Sequence, residues 1–134
     1  MSQQNDTKYR NGFVAGADLS ADAAATTSKR YRAVKYDGTT ARSVISVTGA
    51  SDAVAGVQQN LPESGEAMEL ACGGTSKVRA GGIFNANALL KIDAGGKFVS
   101  GGAGADVNWA RSLEAAAADG DIVEAILFEH PLTT

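Results

Sequence analysis

Glycine-containing turn signals recur every few residues over positions 64–100, and they leave room only for short elements between them. Strand-length runs at residues 66–71 and 88–92 are separated by breaks such as Gly81-Gly82. An α-helix of average length, about 11 residues, does not fit between breaks this frequent. The spacing therefore predicts an all-β fold: a small single-domain sandwich or barrel of short antiparallel strands with glycine turns.

Two turns inside this segment carry specific predictions. The tetrapeptide Cys72-Gly-Gly-Thr75 predicts a turn that ends the strand at residues 66–71, because two adjacent glycines interrupt the run. Asp93-Ala-Gly-Gly96 predicts a hairpin turn between strands at residues 89–92 and 97–99, since glycine adopts positive φ without steric cost.

Strand signals also precede this segment. Residues 30–36 and 42–47 are rich in Tyr, Val and Ile, which favour strands. Asp37-Gly38 lies between them and is a hairpin signal. Residues 54–58 predict a further short strand.

The segment at residues 109–118 is ambiguous. It contains the good helix formers Ala, Leu, Glu and Arg. It is also short, and Asp119-Gly-Asp121 follows at once. We therefore favour a strand at residues 109–114 that pairs antiparallel with a closing strand at residues 122–128.

The first twelve residues are polar and predict a flexible N-terminal arm, so the β-rich domain is expected to span residues 13–134. Tyr9, Arg10 and Phe13 are the large side chains at this junction, and side chains of this kind are enriched in protein interfaces. Two interpretations stay open: a frayed terminus, or an arm that orders on a neighbouring subunit.

The charge balance disfavours nucleic-acid binding, because the formal net charge is -3 and such domains are typically basic. Lys29, Arg30, Arg32 and Lys35 form a basic cluster that we interpret as the solvated side of a strand. No apolar run approaches the ~18 residues that span a membrane. The polar N-terminus also lacks the apolar segment of a signal peptide, so we expect a soluble protein with no membrane partner.

Large core-forming side chains are scarce. Leu, Ile, Val and Phe make up about a fifth of the chain, near the level at which disorder becomes a concern. The small net charge argues against a charge-driven disordered state. We therefore expect a folded domain with a thin core, which gains stability by burying surface against copies of itself or a larger host.

Residue types that perform chemistry are sparse. The one cysteine, Cys72, lies beside two glycines, and the one histidine, His130, lies near the end of the chain. A nucleophile needs a base held beside it, and a metal needs clustered ligands; neither pattern is present in the sequence. Gly95-Gly-Lys97 lacks the Ser or Thr and the following helix of a phosphate loop. We therefore expect no catalytic residue, no metal site, no cofactor and no enzyme activity.

The order and spacing of several short segments together resemble the capsid cement, or decoration, proteins of tailed bacteriophages, although each segment alone is unspecific. The resemblance covers residues 16–127. It is carried by Gly16-Ala-Asp-Leu-Ser20, Tyr31-Arg-Ala-Val-Lys35, Asp52-Ala-Val-Ala-Gly-Val-Gln58, Gly65-Glu66, Val78-Arg-Ala-Gly-Gly-Ile83, Asp93 through Lys97, Leu113-Glu-Ala-Ala116 and Gly120-Asp-Ile-Val-Glu124.

The resemblance implies a small β-rich virion protein that binds the major capsid protein on the outer surface of the head, usually as a homotrimer, and is made in the host cytoplasm. It implies no catalytic residue. Tyr9, Arg10 and Phe13 then become candidate contacts with the capsid or a neighbouring subunit.

The chain departs from the family pattern in two places. Ala86-Asn87 stands where the family commonly has Ala-Gly, and Asn also tolerates left-handed backbone. The loop at residues 21–28 is longer than usual, and its role stays open. The alternative function is a receptor- or carbohydrate-binding β-module of a head or tail fibre, although aromatic residues at 6% disfavour a sugar-binding cleft.

Overall fold

The computed structural model describes residues 7–101 and 107–133, which form ten β-strands and no helix. The all-β prediction is confirmed. The strands are β1 (Lys8–Arg10), β2 (Val14–Ala15), β3 (Ala33–Tyr36), β4 (Ser43–Ser46), β5 (Gly56–Gln58), β6 (Leu70–Arg79), β7 (Leu89–Ile92), β8 (Phe98–Ser100), β9 (Val107–Ser112) and β10 (Ile122–Thr133).

The strands form one ten-stranded sheet in the order β2-β4-β3-β5-β6-β10-β9-β7-β8, and β1 also pairs with β6. All of these strand pairs are antiparallel except β2–β4. The order has two ends, so the sheet is not closed into a barrel. Of the two predicted architectures, the barrel is therefore excluded.

Strand β6 joins the two halves of this sheet. Its first residues pair with β5 and β1, and its later residues pair with β10. The predicted turn at Cys72-Gly-Gly-Thr75 is therefore wrong, because these residues lie inside β6. A Cβ on Gly73 would come within 2.9 Å of the Glu129 Cγ atom. This glycine permits a close approach between chain segments and does not reverse the chain.

The predicted hairpin at Asp93 is confirmed by the antiparallel pairing of β7 and β8. The Asp93 carboxylate accepts the N–H groups of Gly95 and Lys97 at 2.9 and 3.0 Å, and Gly96 has a φ of 87°. A side-chain oxygen that bonds its own turn and a glycine at positive φ are together sufficient to reverse the chain here.

Strands β3 and β4 pair antiparallel, as predicted, but the connection between them is longer than a two-residue turn. It spans residues 37–42, and its left-handed residue is Arg42, with a φ of 56°. Asn87, with a φ of 64°, does adopt the left-handed backbone expected of it.

Strands β9 and β10 also pair antiparallel, which confirms strand over helix at residues 109–112. β10 is longer than predicted because it resumes its pairing with β9 beyond an irregularity, at Leu132. Leu113, the residue after β9, extends the ladder by donating its N–H to the carbonyl of Glu124 on β10 at 2.8 Å.

Two hydrophobic clusters cover opposite faces of the first half of the sheet. Ala33, Val57 and Ala71 belong to the larger cluster, which includes Phe98, whereas Val34 belongs to the smaller one. Because successive strand residues point to opposite faces, β3 is covered on both sides at Ala33 and Val34.

The basic cluster is not simply a solvated face. Arg32 is buried, and its guanidinium donates hydrogen bonds to the carbonyls of Ser28, Gly95 and Thr26 at 2.7, 3.2 and 3.1 Å. The charge is satisfied by backbone oxygens of the loop at residues 21–28, which fastens that loop to the β7–β8 turn. Lys35 is half-buried and pairs with Asp52 at 3.2 Å.

Candidate interaction surface

The segment at residues 8–15 is part of the sheet and not a flexible arm. β1 pairs with β6. Phe13 and Ala15 continue this pairing with the chain before β6: the Phe13 carbonyl accepts the N–H of Met68 at 2.9 Å. The N–H of Ala15 donates to the Glu66 carbonyl, and the Ala15 carbonyl accepts the N–H of Gly65. The prediction of a flexible arm is therefore wrong for Lys8–Arg10, and residues 1–6 lie outside the described residues. Backbone pairing, which polarity patterns do not report, holds this polar segment in place.

Between β1 and β2 the ladder opens into a groove of about 650 Å³. Its walls are the N-terminal segment on one side and the chain leading into β6 on the other. The lining residues are Tyr9, Arg10, Asn11, Gly12, Phe13, Val14, Ala67, Met68, Glu69 and Leu70. The three residues singled out from the sequence, Tyr9, Arg10 and Phe13, thus lie on one surface feature.

An aromatic pair borders this groove. Phe13 is half-buried against the smaller core cluster, and its ring centroid lies 5.8 Å from that of Tyr36 with the planes inclined at 47°. Tyr36 is 47% exposed and Tyr9 is 48% exposed. Tilted aromatic pairs at this separation are favourable. A fixed ring with an exposed edge can serve as an anchor for a partner.

The backbone beside the aromatic pair holds two residues at positive φ. Gly12 has a φ of 83° and Arg42 a φ of 56°. The Nη1 atom of Arg42 lies 2.8 Å from the position that a Cβ on Gly12 would occupy, and the Arg42 carbonyl accepts the N–H of Val14 at 2.8 Å. Non-glycine residues rarely adopt this left-handed conformation, and Arg42 keeps it because the surrounding contacts hold it there.

A carboxylate, Asp37, directly follows Tyr36 in the chain. The backbone N–H and the hydroxyl of Thr39 donate to Asp37, and these bonds hold the pKa of Asp37 below its ordinary value. Arg10 and Arg42 are both exposed. Arg10 lines the groove together with Gly12, and Arg42 lies against Gly12, so both supply positive charge near the groove.

We define the junction surface as Tyr9, Arg10, Phe13, Tyr36 and Arg42. Tyr36 and Arg42 were not identified from the sequence, because they are brought beside Phe13 by the β2–β4 pairing. Aromatic residues and arginine are the types that most often carry binding energy at protein interfaces. Its side chains suit recognition of another protein; whether it contacts a capsid stays a prediction.

Among residues 7–101 and 107–133, no group of three or more His, Cys, Asp or Glu side chains could hold a metal ion. His130 is exposed and lies within β10 rather than in a free tail. Cys72 is half-buried in β6. No helix in the described part of the chain is long and apolar enough to cross a membrane.

Comparison with solved structures finds a protein of the same fold. The chain is similar to the head fiber gp8.5 N base of bacteriophage phi29, with a TM-score of 0.65 and 14% sequence identity. The alignment covers 91% of this chain and 95% of that one. No protein-family model matches the chain. No curated protein matches it either.

Proposed function

We propose that this protein is a structural component of a tailed-phage virion that binds the outside of the head and strengthens the shell by bridging capsid subunits. The observation that carries the proposal is the fold shared with a phage head fiber base over nearly the full length of both chains. The segment order noted in the sequence points independently to phage decoration proteins. The two lines agree on a head-associated structural role.

The physical basis of the proposed stabilisation is mass action. A protein that binds the assembled lattice but not the free capsid subunit stabilises the lattice by an amount that grows with its free concentration. This work needs binding surfaces and no catalytic group. The proposed partners are the major capsid protein and further copies of this chain, as a homotrimer, with no nucleic acid, membrane or cofactor.

We assign capsid contact to the junction surface. Tyr9 and Tyr36 are each about half exposed. Arg10 and Arg42 are exposed beside them. The tilted ring contact with Tyr36 and the backbone bond to Met68 already hold Phe13 in place, so Phe13 loses little conformational freedom when a partner docks.

The test is co-sedimentation of the protein with capsids of its own phage that were assembled without it. An interface anchor of this type contributes about 2 kcal/mol, so a Tyr9→Ala/Tyr36→Ala double variant is expected to bind at least about 30-fold more weakly. Leu132→Ala is the matched control, because Leu132 is 41% exposed, pairs with Asn108 of β9 and is not a residue of the junction surface.

Binding of the double variant at wild-type affinity would contradict the assignment of the surface. A wild-type protein that does not sediment with these capsids at all would contradict the proposed function itself.

A second candidate is a receptor- or carbohydrate-binding module of a fibre. It is favoured by the structural neighbour, which is a head fiber base. It is also favoured by a second, polar groove of about 240 Å³, which shares Tyr9 with the first groove and is lined further by Tyr31, Gln59, Lys77 and Glu124. Location on the virion separates the two functions. Decoration requires hundreds of copies over the head, whereas a fibre module occupies few positions and binds purified cell-surface saccharides.

A further inference from the structure

Four large aliphatic side chains lie exposed at one side of the second half of the sheet. Ile83 is 76% exposed, Ile122 45%, Leu113 40% and Ile126 38%. We call these four residues the aliphatic face. None of them belongs to the junction surface or to the core clusters.

Backbone bonds place the four residues on neighbouring chain segments. The N–H of Leu113 bonds the carbonyl of Glu124, midway between Ile122 and Ile126 on β10. Phe84, the residue after Ile83, exchanges two hydrogen bonds with Ala116, three residues after Leu113. The segment at residues 113–116 thus connects Ile83 on one side to β10 on the other.

The alternation along β10 shows that this exposure belongs to a whole face. Residues 122, 124 and 126 are exposed, whereas residues 123, 125 and 127 are buried. Since side chains alternate across a strand, Ile122 and Ile126 share the outer face. An outer face left to solvent is normally polar, so two isoleucines there call for an explanation.

The exposure is unusual for a chain with so few large aliphatic residues. It has eight leucines and five isoleucines, and Ile83, Leu113, Ile122, Ile126 and Leu132 are all exposed. Four of these five lie on the aliphatic face. Clustered exposed apolar side chains on a small domain mark an interaction site.

The charges around the face indicate its occupant. Lys77 lies opposite Glu124 and Arg111 lies opposite Ile126 in the strand register, and the Glu114 carboxylate accepts the N–H of Glu124 at 2.8 Å. The rim therefore carries both signs of charge, which does not match a uniformly acidic or basic partner. A second copy carries the same mixture, so each sign can face its opposite across the contact.

The two surfaces also differ in the kind of contact that they suit. Permanent contacts between identical subunits resemble a core cut in half and are rich in aliphatic residues. Contacts between different proteins are not distinguished by hydrophobicity, and they favour Tyr and Arg, as found at the junction surface.

We propose that the aliphatic face is the surface through which copies of this chain contact one another. The inference rests on the self-association included in the proposed function and assigns it to named residues. It applies to the free protein in solution, before any capsid is bound.

The test measures molecular mass by light scattering, from micromolar to millimolar concentration, for the full chain and three variants. Wild type is expected to form a complex of more than one chain. Ile83→Glu/Ile126→Glu is expected to be monomeric over the same range, because charges of one sign are placed on both sides of the contact. Leu132→Glu is the matched control: the same kind of change on β10 at 41% exposure, outside the face, should leave the wild-type mass.

Thermal unfolding checks that the double variant remains folded. If it does not, Ile83→Glu alone replaces it, since a side chain 76% exposed contributes little to the folded monomer, and it should still lower the mass. A monomeric wild type, or a folded variant with wild-type mass, overturns the inference.

Capsid sedimentation of the same variants separates this inference from the proposed function. A variant that keeps its mass but no longer binds capsids would show that the face is occupied by the capsid, which also overturns the inference. A wild type that self-associates through this face but binds no capsid would overturn only the proposed function.

Discussion

In the first half of the sheet, β5 and the first two residues of β3, Ala33 and Val34, are buried on both faces. In the second half, β10 buries one face and leaves the other in solvent over residues 122–127. In β3 and β5 the residues in contact with neighbouring layers are small, among them Ala33, Gly56 and Val57. Small side chains allow layers to approach closely on both sides of a strand. The first region, the first half of the sheet, is therefore held mainly by packing on both faces. The second region, the second half, leaves one face exposed, so we expect the binding surfaces of this domain on the second region and at the N-terminal junction.

The largest expected effect comes from truncating leucine in each region. Leu70 is fully buried, so Leu70→Ala is expected to lower the free energy of unfolding by about 2–5 kcal/mol through lost burial and the cavity left behind. Leu113→Ala makes the same chemical change at a residue that is 40% exposed and is expected to shift the stability of the monomer by no more than about 0.5 kcal/mol. Urea unfolding of both variants measures the difference, and equal losses would contradict the contrast between the regions.

A smaller effect is expected from adding a methyl group to glycine. A Cβ on Gly56 would lie 2.6 Å from the Ala71 carbonyl oxygen and 2.7 Å from the Leu70 Cγ atom. Gly56→Ala is therefore expected to cost about 1–3 kcal/mol of unfolding free energy by overpacking. Gly82→Ala is the matched control in the second region, where a Cβ meets nothing within 4 Å. Thermal unfolding that shows Gly56→Ala as stable as Gly82→Ala would mean that the first region can expand.

The smallest effect concerns a carboxylate in the first region. The N–H of Thr48 donates to Asp52 at 2.9 Å and, with Lys35 and the N–H of Gly49, holds the pKa of Asp52 below its ordinary value of 3.8. A lowered folded pKa stabilises the folded state fully at pH above 3.8, and this contribution is lost as the pH falls through the folded pKa.

Asp52→Asn is therefore expected to melt slightly below wild type at neutral pH, and the two melting temperatures should converge as the pH falls below 3.8. Melting temperature as a function of pH for both proteins is the measurement. A difference that persists or grows at the lowest pH would show that the carboxylate's charge is not its source.

Polar composition misled the prediction for the N-terminus, while turn chemistry succeeded elsewhere. Asp93 and Gly96 act within one turn, so their residue types were sufficient to predict the β7–β8 hairpin. Lys8–Arg10 owes its strand to hydrogen bonds with β6, sixty or more residues away along the chain, and its own residue types carry no sign of that partner.

The double glycine of β6 also depends on residues that are distant in sequence. Gly73 and Gly74 are turn signals when only their immediate neighbours are considered. In the fold, Gly73 lies against Glu129 and Gly74 pairs with Leu127 of β10, so the strand continues through both. Whether a glycine reverses a chain or admits a neighbour depends on a segment that is distant in sequence.

The sequence by itself determined the all-β class, the β7–β8 and β9–β10 pairs and the left-handed Asn87, because these depend on local backbone preferences and residue types. The tertiary structure alone decided that Tyr36 and Arg42 lie beside Phe13, that Arg32 is buried against loop carbonyls, and that four aliphatic residues share one exposed side of the sheet. Those outcomes depend on which distant strands pair and in which register, and a shift of one residue in register moves every side chain of a strand to the opposite face.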